Sequence, residues 1–329
     1  MTMARHGRCA IGIDIGGTKT LAAVFDEDCR ALAEAKFKTV PSKGESYFSL
    51  SLKDCLGRLI REAGASEIAA VGAGCAGSID EKRGVVRSSP NISFLEGYPL
   101  AEKLMELTGA AAAAIGNDVQ TGLYGEFRLG AARGCRHVLG VFMGTGVGGA
   151  LILNGEPYRG AAGTAGEVGH MQLDPLGPLC GCGKRGCLEA FAGRHAIAAE
   201  AAALAARGQA PRLRAEVGTD FSRIKSSALA RAIRAGDRHV EDLVRGKARL
   251  VGMALASLVN VLGPELIVLG GGLVEAMPAL IVKEADRSLR EHAMPGIVKK
   301  VKVVAAELGD HSIVAGAARR AWEKADGLG

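Results

Sequence analysis

Between Gly166 and Glu189 the chain gathers three cysteines and a histidine into a short span: Gly166-Glu167-Val168-Gly169-His170, then Cys180-Gly181-Cys182-Gly183-Lys184-Arg185-Gly186-Cys187-Leu188-Glu189. His170, Cys180, Cys182 and Cys187 form a Cys₃His set, and Zn²⁺ takes four such donors tetrahedrally, preferring thiolate and imidazole. Buried thiols can also be small core residues without a metal, but their clustering favours a ligand set. Gly181, Gly183 and Gly186 between the thiols permit the backbone angles a short loop needs to wrap one ion. Two carboxylates flank the set, Glu167 before the histidine and Glu189 after the last cysteine. Ionised carboxylates accept hydrogen bonds and a metal-bound imidazole keeps one N–H to donate, so the trio Glu167, His170 and Glu189 suits a polyol.

Glu-x-Gly-His followed by Cys-x-Cys-Gly-x-x-Gly-Cys-x-Glu resembles the signature of the ROK family of sugar kinases and sugar-responsive repressors, with every position filled. The resemblance implies structural zinc on the Cys₃His set and sugar contacts from Glu167, His170 and Glu189.

The 329 residues suffice for two domains with their own cores. Hydrophobic content of 48% beside 23% charged residues excludes a disordered chain. The net charge of +6 is modest, and the basic residues between Arg207 and Arg249 alternate with acids, as on solvated helix faces; no nucleic-acid partner is expected. Met1 to Arg8 and the short apolar run Cys9 to Ile13, ended by Asp14, do not make a signal peptide, and no stretch has the length of a membrane span. Cys9, Cys29, Cys55, Cys75 and Cys135 lack framework spacing and read as reduced thiols of a cytoplasmic protein.

In chain order, Cys9–Ile15 and Leu21–Phe25 read as antiparallel strands joined by Gly16-Gly17-Thr18-Lys19. A plain hairpin needs only the glycines. Asp14, Thr18 and Lys19 beside them suggest a turn that offers amides and a hydroxyl to phosphate and a carboxylate to its metal. Leu32–Thr39 reads as a third strand, the segment to Ala63 as a helix, Ile68–Ala73 as a strand, Leu100–Leu107 as a helix and Ala111–Ile115 as a strand. Gly72 to Gly77 fits Gly-x-Gly-x-x-Gly but leads into a hairpin, not a helix, and so is no dinucleotide fingerprint. Gly116-Asn117-Asp118 then opens a helix over Val119–Phe127, with Asp118 as its expected N-cap. A carboxylate at the end of a strand can also take a proton from an attacking hydroxyl.

A second strand, glycine turn and strand follow: His137–Phe142, Gly144-Thr145-Gly146-Val147-Gly148-Gly149, and Ala150–Leu153 closed by the hairpin signal Asn154-Gly155. Beyond the cysteines, helices are expected over Phe191–Arg207, Ser222–Ala235 and Asp237–Leu262, the last capped by Asp237 and stopped at Gly263-Pro264. Glu265–Leu269 reads as a buried strand, Gly270-Gly271-Gly272 as a close backbone approach, Val301–Ala305 as a strand and Ser312–Lys324 as a helix. No Walker A sequence is present.

The repeated strand, phosphate turn and strand resembles the duplicated two-lobed actin/hexokinase-like (ribonuclease H-like) α/β fold with nucleotide in an interlobe cleft. That implies a small lobe over residues 1–118, rejoined by a helix in 311–329, and a large lobe over 119–310 carrying the zinc loop and a helical insertion. By the same resemblance Asn117 and Asp118 bind the sugar and Asp118 is the general base. Asp14 holds Mg²⁺ of Mg-ATP through water, Gly16, Gly17, Thr18, Lys19, Gly144, Thr145 and Gly146 serve the phosphates, and Gly271 and Gly272 the adenosine. The implied reaction is phosphoryl transfer from ATP to a hexose, glucose first, with fructose, mannose, allose or N-acetylmannosamine as alternatives and a homodimer or homotetramer as the assembly. A sugar-sensing repressor would carry a helix-turn-helix ahead of Asp14, where only Met1 to Ile13 stand; an actin-like ATPase without sugar would not need Glu167, His170 and Glu189. Relatives often have Pro-Gly where this chain has Ala76-Gly77, which bears on that loop's sugar contacts.

Overall fold

Strand β1 (His6–Ile15) is apolar from Cys9 to Ile13, and Cys9, Ala10, Ile11, Ile13 and Ile15 are all buried, which marks a strand covered on both faces over that stretch. It pairs antiparallel with β2 (Lys19–Phe25), which pairs antiparallel with β3 (Ala31–Lys38). Helix α1 (Gly44–Ala63) buries Phe48, Leu52, Cys55, Leu56, Leu59 and Ala63, spaced three and four apart, and stops at Gly64 with φ +61°. It leads to β4 (Ala65–Cys75), parallel to β1. A small hairpin, β5 (Ser78–Asp80) and β6 (Val85–Ser88), follows, then α2 (Leu100–Thr108) and β7 (Ala112–Asn117), parallel to β4. Helix α3 (Asp118–Leu129) begins directly at the end of β7. The computed structural model describes residues 6–327. Met1 to Arg5, part of the charged N-terminal run, lie outside them, as do the last two residues of the segment 311–329.

The described residues form two compact units. The first takes the residues up to Arg133, the segment Arg159–Ala165 and the residues from Asp310 onward; the second takes Gly134–Tyr158 and Gly166–Gly309. The sheet of the first has the order β3-β2-β1-β4-β7.

The second unit repeats this plan. Strands β8 (Val138–Met143), β9 (Val147–Leu153) and β10 (Glu156–Tyr158) form an antiparallel meander, and β11 (Leu266–Gly270) and β12 (Lys302–Ala305) continue it in parallel, giving the order β10-β9-β8-β11-β12. The turn from β9 to β10 is the expected Asn154-Gly155, at φ +57° and +84°, the double positive φ that matches strand twist.

The helical stretch of this unit departs from the sequence reading. Phe191–Arg207 is not one helix: α4 (Leu188–Ala192) and α5 (Arg194–Ala206) are separated at Gly193, held extended at ψ 152°. Helix α6 (Pro211–Val217) was not expected; α7 (Ser226–Arg234) and α8 (Arg238–Leu262) were. Asp237 takes the N-cap position of α8 as expected, with its carbonyl accepting the Val240 and Glu241 amides at 3.1 Å, but its side chain makes no cap bond there. Its buried carboxylate accepts the amides of Arg212 (3.1 Å) and Leu213 (2.8 Å) at the start of α6, whose own cap position is Ala210 and has no acceptor side chain. Helices α9 (Gly272–Ala276), α10 (Pro278–His292) and α11 (Pro295–Val298) separate β11 from β12. Several arginines of α7 and α8 sit in ion pairs, Arg245 and Arg249 on the buried Glu284 and Arg231 on Glu216.

Helix α12 (Ser312–Ala325) lies in the first unit, against β1, β4 and α3. Glycines make the approach possible. A Cβ on Gly12 of β1 would overlap the carbonyl oxygen of Val314, and one on its register partner Gly72 of β4 would overlap that of Ala317. Gly72 and Gly74, which mimic a dinucleotide motif, therefore serve helix packing. No helix of the described residues is long and apolar enough to cross a membrane.

Candidate active site

In the first unit, Asp14 stands near the carboxyl end of β1 and Asn117 at that of β7, with Gly74 and Cys75 of β4 between them in register. Strand ends are where open α/β sheets place ligands. Asp14 is half-buried, and its carboxyl pKa rises to about 7, first from burial and then from the negative charge of Asp118, with Lys19 opposing. The buried thiol of Cys75 is pushed up to about 12, by burial first and then by Asp118 and Asp14. A Cβ on Gly74, the register partner of Asp14, would lie 3.4 Å from Asp118 Cα, so the two acids share one neighbourhood.

The turn after β1 closes with Gly16 N–H donating to the Lys19 carbonyl at 3.0 Å, and Thr18 is exposed at its tip. Lys19 is the first residue of β2, and its ammonium pairs with Asp310 at 2.8 Å. The N-cap of α3 is Asn117, not Asp118: the Asn117 side-chain oxygen accepts the Gln120 amide at 3.1 Å. Asp118 stands one position later, with Oδ1 on the Val119 amide at 2.9 Å. Moving the cap back by one leaves Asp118 in the first turn, where a helix favours negative charge. Asn117 also donates to the Gly77 carbonyl at 3.0 Å, tying the Ala76-Gly77 loop to the cap.

In the second unit, residues 144–146 link β8 to β9. Gly144 N–H donates to the Gly146 carbonyl at 3.0 Å, and Val147 N–H to Glu189 Oε2 at 3.0 Å. Arg194, the first residue of α5, donates its backbone N–H to the Gly144 carbonyl (3.1 Å) and Nη2 to Thr145 Oγ1 (2.9 Å), while His195 N–H reaches the Thr145 carbonyl at 3.3 Å. Neither Arg194 nor His195 was singled out in the sequence; the Gly193 break that brings them to the turn carries no periodic signal.

The loop preceding Glu189 brings together the four expected ligands. The donor atoms of His170, Cys180, Cys182 and Cys187 all lie within 4.8 Å of one another. Cys180 Sγ is 3.7 Å from His170 Nδ1, and Cys182 Sγ is 3.7 Å from Cys187 Sγ. A tetrahedron with Zn–S bonds of about 2.3 Å has S···S edges of about 3.8 Å, so the donor set fits zinc. Burial pushes the Cys180 thiol to about 12, whereas the Lys184 amide holds the exposed Cys182 thiol below its ordinary value. His170 turns its other nitrogen, Nε2, towards Glu167, 3.9 Å away. Glu167 and His170 are exposed, and Glu189 Oε1 lies 3.6 Å from Cys180 Sγ.

Of the glycine trio, Gly270 ends β11 and Gly271, at φ +82°, passes the backbone of Met143, where a Cβ would approach to 2.8 Å. Packing inside the unit thus accounts for Gly271, and Gly272 opens α9. A cavity of about 200 Å³ lies at the carboxyl ends of β11 and β12, lined by Leu269, Gly270, Val274, Glu275, Pro278, Ala305 and Ala306.

The sequence profile of the ROK family matches residues 10–324. The chain is 34% identical to a glucokinase of Streptomyces coelicolor, over 95% of this chain and 97% of that one. It is 32% identical to an N-acetylmannosamine kinase of Citrobacter koseri, over 82% and 86%. Its fold matches a ROK family glucokinase from Streptomyces griseus solved with glucose and AMPPNP, with a TM-score of 0.84 and 33% identity over 96% of this chain and 99% of that one. The duplicated mixed sheet is the two-lobed α/β fold of actin/hexokinase-like proteins. The chain belongs to the ROK family.

Proposed function

We propose that this protein is an ATP-dependent hexose kinase that converts glucose and ATP to glucose 6-phosphate and ADP. The observation that carries the reading is Asp118 placed at the end of β7 in the electrostatic neighbourhood of Asp14, in a chain that retains Glu167, His170 and Glu189 around a competent metal loop. Similarity to glucokinases over nearly the whole chain supports the acceptor.

Phosphoryl transfer needs positioning and charge neutralisation more than covalent chemistry. Asp118 takes the proton of the attacking hydroxyl, and Asn117, Glu167, His170 and Glu189 fix the sugar. Gly16, Gly17, Thr18 and Lys19, with Gly144, Thr145 and Gly146, present amides, hydroxyls and an ammonium to phosphate oxygens. Asp14 would hold Mg²⁺ through water; its raised pKa fits a carboxylate whose charge awaits a cation. His170, Cys180, Cys182 and Cys187 would hold zinc, which would fix the aim of the imidazole towards the sugar, and Mg²⁺ would supply charge neutralisation at the phosphates. Gly271 and Gly272, beside the cavity at β11 and β12, would border the adenosine.

The N-acetylmannosamine kinase relative favours a second reading, in which another hexose or an N-acetylhexosamine is the acceptor. Family resemblance further supports a cytoplasmic homodimer or homotetramer. A coupled ADP-release assay with Mg-ATP and a sugar panel tests both readings. Sugar-dependent release is expected with glucose; equal release without sugar, or none, would sink the kinase reading. Asp118→Asn should lower turnover by about 10²- to 10⁴-fold and spare glucose binding measured by calorimetry.

A further inference from the structure

The turn at residues 144–146 is held in a way that fixes which of its groups face outward. In a trans peptide the C=O and N–H point in opposite directions, and the described residues contain no cis bond. The carbonyls of Gly144 and Thr145 are occupied by the amides of Arg194 and His195. The amides of Thr145 and Gly146 belong to those same two peptide planes and therefore point away from α5. Two successive amides aimed to one side form a nest for an anion.

The side chain of Arg194 adds to this. A guanidinium can only donate, so the Thr145 hydroxyl accepts from Nη2 at 2.9 Å and its own proton must find another acceptor. Arg194 is half-buried, burial lowers its pKa, and among the described residues its guanidinium stands in no ion pair. Arg231, Arg245 and Arg249 of the same unit each face a glutamate. A desolvated cation that leans on a neutral hydroxyl leaves its charge for a ligand. Phosphate oxygens, which accept hydrogen bonds and carry negative charge, match both the nest and the cation.

Resting on the kinase reading above, we propose that Arg194 is a positioning residue for the phosphoryl donor: it orients the Thr145 hydroxyl as a donor and holds the 144–146 turn with its amides towards phosphate. A double-mutant cycle tests this, using Arg194→Met, Thr145→Val and the double variant, with ATP KM, turnover and calorimetric affinities for MgADP and glucose. Arg194→Met should raise the ATP KM and the MgADP Kd about tenfold or more, the weight of a charge-assisted bond, with glucose affinity within about twofold of the parent. Thr145→Val should do the same, and the double variant should add little to either, because both remove one interaction. Arg194→Lys should recover part of the loss, which also guards against a variant that fails to fold. The proposal is overturned by an unchanged donor KM in Arg194→Met, by effects of the two substitutions that multiply independently, or by an equal loss of glucose affinity. A parent protein that binds no MgADP would instead overturn the kinase reading and this proposal with it.

Discussion

Glu189 Oε2 accepts the backbone N–H of Val147 at 3.0 Å, so the carboxylate that follows the last cysteine also closes the glycine turn between β8 and β9. Its other oxygen lies 3.6 Å from Cys180 Sγ. One side chain thus joins the metal loop to the turn at residues 144–146.

Gly146 has no side chain because Glu189 occupies the place: a Cβ there would overlap Oε2. Gly146→Ala should displace the carboxylate from Val147. Turnover should fall about tenfold or more, given a charge-assisted bond of about 1.5–3 kcal/mol, and glucose affinity should fall with it. Steady-state kinetics with calorimetry would show this; wild-type kinetics in the variant would mean that the bond is dispensable.

Asp14 should leave a pH signature in stability. Its folded-state pKa of about 7 lies above the ordinary 3.8, so the folded protein binds more protons than the unfolded chain between those values. Stability from this group is therefore greatest at low pH and is lost as pH rises towards 7. Asp14→Asn removes that loss. In Mg²⁺-free buffer the melting temperature of the variant should gain on the parent between pH 5 and pH 8, and a gap constant with pH would contradict the assignment.

Metal analysis of purified protein should find about one zinc per chain, bound by the Cys₃His set. A chelator should lower the melting temperature by several degrees and readded Zn²⁺ should restore it, because metal affinity is realised only in the folded loop. Cys182→Ser should abolish stoichiometric zinc. Metal-free protein that ignores chelator would refute the site.

Two glycines in regular elements should respond oppositely to alanine. Gly72→Ala forces a methyl into the Ala317 carbonyl, at a cost of about 1–3 kcal/mol. Gly246 lies inside α8, and nothing stands within 4 Å of the place a Cβ would take, so Gly246→Ala should stabilise by about 0.5–1 kcal/mol. Urea unfolding of both variants measures the two signs.

Much of this was legible from residues alone. The metal loop announced itself because its four ligands, His170, Cys180, Cys182 and Cys187, happen to lie close together in sequence, and the Asn154-Gly155 turn because its backbone angles restrict the residues that fit. What escaped depended on contacts between distant segments. Asp237 stands at the N-cap position of the helix that follows it, yet its carboxylate serves α6, about two dozen residues earlier. Asn117 and Asp118 are both good capping residues, and only the course of β7 decides between them. Arg194 gained significance once Gly193 broke the helix and turned its side chain to Thr145.

The docking of α12 on β1 and β4 also has a consequence for biosynthesis. The ribosome releases β1 long before α12, so the sheet of the first unit waits for its covering helix until the whole of the second unit has been made. The second unit, contained within Gly134–Gly309, has all its residues earlier. Because domains fold as units once their chain is available, the unit whose strands are made first should be the one that finishes folding last, and a nascent chain still lacking α12 should engage chaperones through the exposed faces of β1 and β4.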